Sequence, residues 1–263
     1  MTQAANNLVQ QHTENGITTV TLSQPEKRNS LSMAMLDALS EVFTALENDA
    51  DTRVVVLAAE GKVFCAGHDL REIRSQFDSH DFQLALFRQC SKVMQQIVTL
   101  PKPVIARVAG VATAAGCQLV ASCDLAVAES GARFATPGVN IGLFCSTPMV
   151  ALSRNVPRKH AMEMLLTGEM IDAGRAERLG LVNRVVAPEE LDDTVYQMAA
   201  TIAGKSGHTL KVGKAAFYRQ LEMPLSEAYD YTAEVMAGNM GAADAQEGIS
   251  AFLDKRDPQW QDK

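Results

Sequence analysis

Gly110-Val-Ala-Thr-Ala-Ala-Gly-Cys-Gln-Leu-Val-Ala-Ser-Cys-Asp124 is a run of small and apolar residues near the middle of the chain. It follows Lys102-Pro-Val-Ile-Ala-Arg-Val108, a short β-branched segment that is typical of a buried strand. The apolar residues from Ala114 to Ser122 predict a helix. The sequence therefore predicts a strand that turns tightly into a buried helix.

The start of this helix is a candidate site for a negative charge. The first N–H groups of a helix have no partner within it, and the helix dipole adds partial positive charge there. Small side chains at Ala114, Ala115 and Gly116 would let a ligand approach these groups, and such a site suits a developing oxyanion. Close packing of a helix on a sheet also requires small residues, so both interpretations stay open on this stretch alone.

Toward the N-terminus, the pattern predicts a hairpin followed by a parallel sheet. Residues 8–13 and 17–23 alternate around Glu14-Asn15-Gly16, which is typical of a β-hairpin. Ser32 is placed to cap a helix over residues 33–49. Residues 53–59 are apolar throughout after Arg53, as in a strand buried on both faces. A strand, a helix and a strand in this order predict parallel pairing through a crossover.

The segments that flank the central run alternate between strand and helix. Residues 63–67 predict a short strand that leads into a helix with Asp69 as its N-cap. Residues 82–100 predict a long helix, and residues 124–129 predict a strand. Residues 134–142, rich in glycine and proline, predict a loop or short strand that bends back.

From about residue 146 the chain is predicted to be mostly helical. The exception is a strand over residues 181–186. The predicted helices cover residues 147–154, 158–167, 173–179, 188–204, 208–221, 225–240 and 243–255. Several of them are amphipathic, so their apolar faces are available for contacts between subunits as well as for the core.

Composition and charge narrow the functional class. The chain has 263 residues, of which 47% are hydrophobic and 21% charged, as expected for a globular protein with a sizeable core. A net charge of −7 argues against a general affinity for nucleic acid or anionic membranes. No apolar run approaches the roughly 20 residues that span a bilayer. We therefore expect neither nucleic acid nor a membrane as a partner.

Cysteine and histidine usage gives two further expectations. The five cysteines, without a C-x-x-C pair, fit a reducing compartment where they act as small apolar residues. The five histidines are scattered, so no metal site is expected. The first seven residues, Met-Thr-Gln-Ala-Ala-Asn-Asn, lack the features of a signal or transit peptide. A cytoplasmic protein is therefore expected.

Eight motifs, taken together, resemble those of a known family. They are Pro25-Glu-Lys-Arg-Asn-Ser-Leu31, Phe64-Cys-Ala-Gly-His-Asp-Leu70, Lys102-Pro-Val-Ile-Ala106, Gly110 through Asp124, Phe134-Ala-Thr-Pro137, Leu166-Thr-Gly-Glu169, Ala176-Glu-Arg-Leu-Gly-Leu-Val182 and Glu247-Gly-Ile-Ser-Ala-Phe-Leu-Asp-Lys-Arg256. In this order they span nearly the whole chain, and the sequence resembles the crotonase superfamily, that is, the enoyl-CoA hydratase/isomerase family.

The resemblance implies a fold and an assembly. The fold class is α/β: a crotonase-type spiral of ββα units over residues 1–195, followed by an α-helical C-terminal trimerisation region over residues 196–263. The implied substrate is a CoA thioester, and no prosthetic group is implied. The implied assembly is a homotrimer or a dimer of trimers.

The resemblance also implies a site. The carbonyl oxygen of the bound CoA thioester would lie between the backbone N–H groups of His68 and Ala115. Lys27 and Arg28 would face the CoA phosphates, although two solvated charges on a turn fit the sequence as well. Further CoA contacts are implied at Cys65, Ala66, Gly67 and Gly116.

The sequence departs from the family at the two glutamates with which its hydratases place and deprotonate water. The first position is Gln118 and the second is Gly138. An amide cannot accept and return a proton as a carboxylate does, and glycine has no side chain, so ordinary enoyl-CoA hydration is expected to be crippled. Restoring both glutamates would then be expected to raise hydration.

Two other polar residues are candidates with less specific roles. The His68 imidazole would either project toward the acyl group or line the pocket. Asn140 would either orient a substrate group or stabilise its own loop. Cys117 and Cys145 lack a base in the sequence pattern, so neither is expected to be a nucleophile.

Three functions remain open at this stage. The first is an acyl-CoA enzyme that stabilises an enolate, for isomerisation, for decarboxylation of a malonyl-type ester or for another lyase step. The second is a weak enoyl-CoA hydratase. The third is a non-catalytic acyl-CoA-binding subunit.

Overall fold

The computed structural model describes residues 8–263, and two sheets surrounded by helices make up its fold. The strands are β1 (Val9–Glu14), β2 (Ile17–Leu22), β3 (Val54–Ala59), β4 (Val63–Cys65), β5 (Val104–Val108), β6 (Val111–Thr113), β7 (Leu125–Glu129), β8 (Arg133–Ala135), β9 (Ile171–Asp172) and β10 (Arg184–Val186). The helices are α1 (Met33–Glu47), α2 (Leu70–Ser75), α3 (His80–Thr99), α4 (Ala115–Ser122), α5 (Pro148–Asn155), α6 (Arg158–Thr167), α7 (Ala173–Arg178), α8 (Leu191–Ala203), α9 (Gly207–Gln220), α10 (Leu225–Met240) and α11 (Ala243–Asp254). The α/β architecture implied by the sequence is confirmed.

The first sheet has the strand order β1-β2-β3-β5-β7-β10. Its β1–β2 hairpin closes through Asn15 and Gly16, both at positive φ, as the Asn-Gly pair predicts. The other pairs in this sheet are parallel. Ser32 caps α1 by accepting a hydrogen bond from the Met35 N–H, so the predicted strand–helix–strand unit is confirmed.

The second sheet has the order β4-β6-β8-β9, and its first three strands run parallel. Because carboxyl ends of parallel strands lie at one edge of a sheet, three chain segments leave this sheet side by side. They are residues 66–69 after β4, residues 114–118 after β6 and residues 136–138 after β8. Most of the sequence-predicted site residues lie in these three segments, so this edge positions the candidate site.

Two of these strands were not predicted from the sequence. The strand that leads into the central helix is β6 rather than β5, and β6 belongs to the second sheet. It has three residues and β9 has two, which is too short for a periodic pattern to be visible. The predicted strand over residues 181–186 is shorter than expected and is limited to β10.

Helix α8 packs on the first sheet through Leu191, Val195 and Ala199, which are buried against Ile17 and other sheet residues. The predicted boundary between residues 195 and 196 lies inside this helix. The division into a core and an oligomerisation region stays a prediction.

Helix α9 is tied to the core by a buried ion pair that the sequence did not reveal. The Lys214 Nζ lies 2.6 Å from Asp124 Oδ2, and the exposed fractions of the two side chains are 8% and 16%. Lys214 also donates to the carbonyl oxygens of Ile97 and Lys102. The Tyr218 hydroxyl donates to the other Asp124 oxygen at 2.9 Å. This network joins α9 to the beginning of β5 and β7.

The part of the chain that the structure describes has neither a membrane-spanning helix nor a cluster of metal-binding side chains. None of its helices is long and apolar enough to cross a membrane. Within the same residues, no three His, Cys, Asp or Glu side chains are grouped so that they could hold a metal ion.

Candidate active site

The segment after β4 is fixed by backbone hydrogen bonds to the segment before α1. The Leu31 N–H donates to the Gly67 oxygen at 2.8 Å, and the Ala66 N–H donates to the Arg28 oxygen at 3.1 Å. Leu31 and His68 form an isolated parallel bridge. His68 is therefore held in one place at the carboxyl end of β4.

Gly67 allows this segment to approach the N-terminus of α4. Its φ is +92°, and a Cβ at this position would lie 2.9 Å from the Ala114 Cβ and 3.4 Å from the Ala115 nitrogen. A side chain at residue 67 would therefore strain the backbone and crowd the Ala115 N–H. This contact explains why glycine precedes His68.

Ala114 adopts a conformation that is rare for a residue with a side chain. Its φ and ψ are 51° and −118°. Its N–H donates to the Ala135 oxygen at 2.9 Å, and its own carbonyl accepts from the Gln118 N–H at 3.0 Å. Conformations of this kind cost about 1–3 kcal/mol and are concentrated at functional sites. The strain turns the chain abruptly from β6 into α4.

The backbone N–H groups of His68 and Ala115 are the candidate donors of an oxyanion hole. Neither donates a hydrogen bond to another backbone or side-chain group within residues 8–263. Gly67 brings the two segments together, and Ala115 is the first residue of α4, where the dipole favours negative charge. Two adjacent free donors at such a position are suited to an oxygen that becomes negative.

Gly116 and Cys65 pack directly on each other. A Cβ on Gly116 would lie 2.1 Å from the Cys65 carbonyl oxygen, and the Cys65 side chain is fully buried. The small residue at 116 is therefore required for packing of α4 on β4, with or without a ligand. Contacts of Cys65, Ala66, Gly67 and Gly116 with CoA stay predictions.

Lys27 and Arg28 lie on an exposed turn beside the β4 segment. Asn29, which the sequence analysis did not select, anchors this turn. Its Nδ2 donates to the Glu60 and Val63 carbonyl oxygens at 2.9 and 2.8 Å. Because of this anchor and the hydrogen bond between Ala66 and Arg28, two cationic side chains lie next to the segment that carries His68. Their contact with phosphate stays a prediction.

The His68 imidazole has one hydrogen-bond partner. Its Nδ1 lies 3.1 Å from the Leu31 carbonyl oxygen, and its ring meets the Phe87 ring edge-on at 5.3 Å. The other nitrogen, Nε2, is buried and has no partner among the described residues. Burial lowers the pKa of His68, and the Leu31 carbonyl opposes this shift. A lowered pKa favours the neutral imidazole.

Gln118 and Gly138, the positions at which the resemblance implies glutamates, carry no carboxylate. Gln118 is buried, and its Oε1 accepts only a weak contact from the Cys90 thiol at 4.0 Å. A Cβ on Gly138 would lie 2.7 Å from the Leu143 carbonyl oxygen and 2.9 Å from the Cys145 sulfur. The loop after Gly138 therefore fills the place that a second side chain would need.

The surroundings of Asn140, Cys117 and Cys145 do not indicate a catalytic role for these residues. Asn140 is exposed and lies beside Gly168, so its role in orienting a substrate stays a prediction. Burial raises the pKa of the Cys117 thiol to about 12 and also raises that of Cys145. Both cysteines are therefore thiols at neutral pH and poor nucleophiles.

Thr136 is a polar residue at this edge that sequence reasoning missed. It is fully buried, and its hydroxyl has no partner among residues 8–263. Thr113 pairs with Ala135 in the parallel ladder, so the next residues, Ala114 and Thr136, leave the sheet side by side. The Thr136-Pro137 step after the short segment Arg133-Phe-Ala135 was the only sequence signal for it.

Two cavities lie away from this edge. One of about 430 Å³ is lined by β2, β3 and α8 residues together with Arg107. The other, of about 400 Å³, lies between the end of α3 and α9. Neither is lined by His68 or Ala115, so neither replaces the candidate site.

The sequence matches a family model and several curated relatives. The model is described as enoyl-CoA hydratase/isomerase and matches residues 12–263. The human protein called enoyl-CoA hydratase domain-containing protein 3, mitochondrial, is 50% identical over 245 residues, which are 93% of this chain and 80% of that protein. The relative of the same name from Xenopus laevis is 48% identical over 247 residues, 94% of this chain and 84% of that protein. These names place the relatives in mitochondria, so the expected cytoplasmic location finds no support among them.

Solved structures agree with the sequence matches. A crystal structure of an enoyl-CoA hydratase from Mycobacterium smegmatis superposes with a TM-score of 0.95 at 55% identity, covering 97% of this chain and 99% of that one. A crystal structure of human enoyl-CoA hydratase domain-containing protein 3 gives a TM-score of 0.93 at 49% identity and covers 96% of this chain and 100% of that one. The crotonase-type fold implied by the sequence is therefore confirmed.

Proposed function

Because the chain belongs to the enoyl-CoA hydratase/isomerase family, we propose that it binds a CoA thioester with the carbonyl oxygen between the backbone N–H groups of His68 and Ala115. The observation that carries this proposal is the pair of free donors that Gly67 brings together. Loss of a proton from the carbon next to the carbonyl turns the thioester into an enolate. The two N–H groups and the dipole of α4 stabilise its oxygen.

The chemistry best suited to this site is proton transfer next to the carbonyl, as in isomerisation of an unsaturated acyl chain. Hydration requires a carboxylate that holds and deprotonates water, and general acid–base help of this kind contributes about 10²–10⁴-fold. Gln118 cannot supply it, and the loop after Gly138 leaves no room for it. Stabilisation of the enolate oxygen needs neither group, and removal of the proton needs a base that is not one of these two residues.

The CoA end of the ligand is expected to contact Lys27 and Arg28. Both side chains are exposed, and no salt bridge joins either of them to a carboxylate in residues 8–263. In a protein with a net charge of −7, a local pair of free cations is a reasonable site for phosphate groups. The turn is rigid because Asn29 anchors it.

The proposed function is tested with the unmodified protein and three thioesters. Binding of crotonyl-CoA and of free CoA is compared by calorimetry, and we expect the thioester to bind more tightly because only it reaches the two N–H groups. Turnover is then followed with crotonyl-CoA, 3-butenoyl-CoA and methylmalonyl-CoA. Isomerisation of 3-butenoyl-CoA without appreciable hydration supports the proposal. Fast hydration of crotonyl-CoA or decarboxylation of methylmalonyl-CoA would identify another reaction, and tight binding without turnover would identify a non-catalytic subunit.

Restoring both glutamates is expected to give no gain in hydration, contrary to the expectation from the sequence. In Gln118→Glu/Gly138→Glu, the new Cβ at 138 meets the Leu143 oxygen and the Cys145 sulfur at less than 3 Å, so the loop has to move before the carboxylate reaches water. Crotonyl-CoA hydration is measured for this variant and for Gln118→Glu alone as a control. A strong gain in the folded double variant, and not in the control, would show that the loop yields easily.

We further propose that the protein assembles as a trimer or a dimer of trimers. Helices α9 to α11 expose large apolar side chains, and contiguous exposed apolar surface marks contacts with partners. Those at least 60% exposed on these helices are Leu225, Tyr229, Met236, Phe252 and Leu253, and Leu221 directly after α9 is 60% exposed as well. Light scattering at micromolar concentration is expected to give three or six times the mass of 28.4 kDa. A uniform monomer would contradict the proposal.

A further inference from the structure

The hydrogen bond of His68 fixes which imidazole nitrogen carries hydrogen. The Leu31 carbonyl oxygen at 3.1 Å from Nδ1 can only accept. Nδ1 is therefore the donor in the neutral ring, and Nε2 has a free lone pair. The buried end of this imidazole is an acceptor.

This acceptor is unsatisfied in the protein alone. Nε2 is buried and has no partner among residues 8–263, and burying a polar atom without a hydrogen-bond partner is unfavourable. The nearby carboxylates are engaged elsewhere: Asp69 accepts from the Arg71 and Glu72 N–H groups, and Glu72 accepts from the Met33 N–H. A buried group left unsatisfied in this way needs an explanation, and a catalytic role is one of the recognised ones.

The imidazole belongs to the same residue as one of the proposed N–H donors. His68 supplies one of the two N–H groups proposed to hold the thioester oxygen, so its side chain begins one bond further along the same residue. The imidazole is held by the contact of Nδ1 with the Leu31 oxygen and by the T-shaped packing against the Phe87 ring. Because Nε2 is buried in the protein alone, binding of the substrate has to expose it before it accepts a proton.

We propose that Nε2 of His68 is the base that removes the proton from the carbon next to the thioester carbonyl. This inference rests on the proposed function. The C–H bond breaks, its electron pair forms the C=C bond of the enolate, and the negative charge moves to the oxygen between the His68 and Ala115 N–H groups. The proton passes to Nε2, and the Leu31 oxygen stabilises the imidazolium through Nδ1–H. Return of the proton to the far end of the allylic system completes an isomerisation.

The proposal sets the substrate class. A neutral imidazole that presents a lone pair repels a carboxylate, so a malonyl-type acid is a poor ligand at this position. A C–H bond next to the carbonyl, activated further by a β,γ double bond, suits it. In this proposal the His68 imidazole takes over proton transfer from the two glutamates that are missing at positions 118 and 138.

The experiment follows exchange of deuterium from D₂O into the C2 position of 3-butenoyl-CoA by mass spectrometry. His68→Asn is the matched variant, because its amide NH₂ replaces Nδ1 as the donor to Leu31 while Nε2 and its basicity are lost. His68→Gln keeps a polar group of similar length without a base. Both variants retain the backbone N–H. We expect exchange to fall by about 10²–10⁴-fold in each variant, while binding of 3-butenoyl-CoA changes only a few-fold.

The pH profile separates a base from a merely structural residue. The base form of His68 is present above its pKa, which burial lowers from its ordinary value. Exchange by the parent protein is therefore expected to rise with pH through a value below 6.5 and then level off. The residual exchange of His68→Asn should not show this step.

The possible outcomes distinguish failure of the base assignment from failure of the proposed function. If folded His68→Asn exchanges at the parent rate, Nε2 of His68 is not the base. The same follows if the parent protein binds the thioester without exchange. In both cases the proposed thioester site still holds. If the parent protein does not bind the thioester, both the proposed function and the role of His68 as the base are wrong. If the variants do not fold, the ¹⁵N shifts of labelled histidine in the parent decide: an unprotonated Nε2 at pH 7 supports the inference, and an Nε2–H tautomer overturns it.

Discussion

Gly67→Ala is expected to lower turnover of an acyl-CoA substrate by about 10²–10³-fold, the loss observed when one oxyanion-hole donor is removed. The new Cβ lies 2.9 Å from the Ala114 Cβ and 3.4 Å from the Ala115 nitrogen, so it separates the β4 segment from the start of α4 and crowds the donor. The φ of +92° adds backbone strain of about 1–3 kcal/mol. Initial rates with 3-butenoyl-CoA and thermal unfolding measure the two effects.

Gly180→Ala is the matched control for this variant. Gly180 has a φ of +80°, so the backbone strain is similar, whereas a Cβ there would meet only the Asn155 oxygen at 3.3 Å and would be less crowded than at Gly67. It lies after α7 and outside the three segments of the site. The control is expected to lose the stability that the backbone strain costs and to keep its turnover. Equal turnover losses in the two variants would mean that strain, rather than the donor, explains Gly67→Ala.

Lys214→Met is expected to lower the free energy of unfolding by about 3–5 kcal/mol, because it leaves the Asp124 carboxylate buried and uncompensated. Lys214 is 8% exposed and holds Asp124 together with the carbonyl oxygens of Ile97 and Lys102. Methionine keeps much of the volume and removes the charge. Denaturant unfolding of the assembled protein measures the change.

Lys211→Met is the control for the ion pair, since Lys211 is exposed on the same helix. Its expected effect is within about 0.5 kcal/mol. Asp124→Asn/Lys214→Met should be less destabilised than the sum of the two single variants, because the charge left without a partner is removed as well. A loss below about 1 kcal/mol in Lys214→Met would show that water enters and solvates Asp124.

The sequence predicted the elements that carry strong local signals. The Asn15-Gly16 turn, the Ser32 cap and the Asp69 cap lie where the residue types require. The helix over α4 was also predicted, because its apolar run is long enough to be visible. These features depend on neighbouring residues and need no information from distant parts of the chain.

Features that depend on distant residues were not predicted. The Leu143 oxygen and Cys145 sulfur close the space beside Gly138, and no local pattern indicates such a contact. The same holds for Lys214, whose partner Asp124 is 90 positions away. Whether His68 presents a donor or an acceptor depends on the Leu31 carbonyl, which only the fold brings to Nδ1.

Replacing Ala115 by proline is an obvious way to remove its N–H, but the structure makes this variant a poor test. Ala114 is held at φ 51° and ψ −118°, and proline restricts the backbone of the residue before it. Ala115 is also fully buried, so the ring would have to displace its neighbours. A measurement that leaves the backbone unchanged is more direct.

That measurement is the amide NMR spectrum of protein labelled with ¹⁵N at histidine and alanine, titrated with crotonyl-CoA and, separately, with free CoA. Both ligands should shift the amide resonance of Ala66, whose N–H donates to the Arg28 carbonyl oxygen beside the proposed phosphate site, but only crotonyl-CoA carries the thioester carbonyl. The expected result is a downfield shift of the His68 and Ala115 amide protons with crotonyl-CoA and not with CoA. If crotonyl-CoA binds and neither amide shifts beyond its position in the CoA complex, the thioester carbonyl does not lie between these two groups.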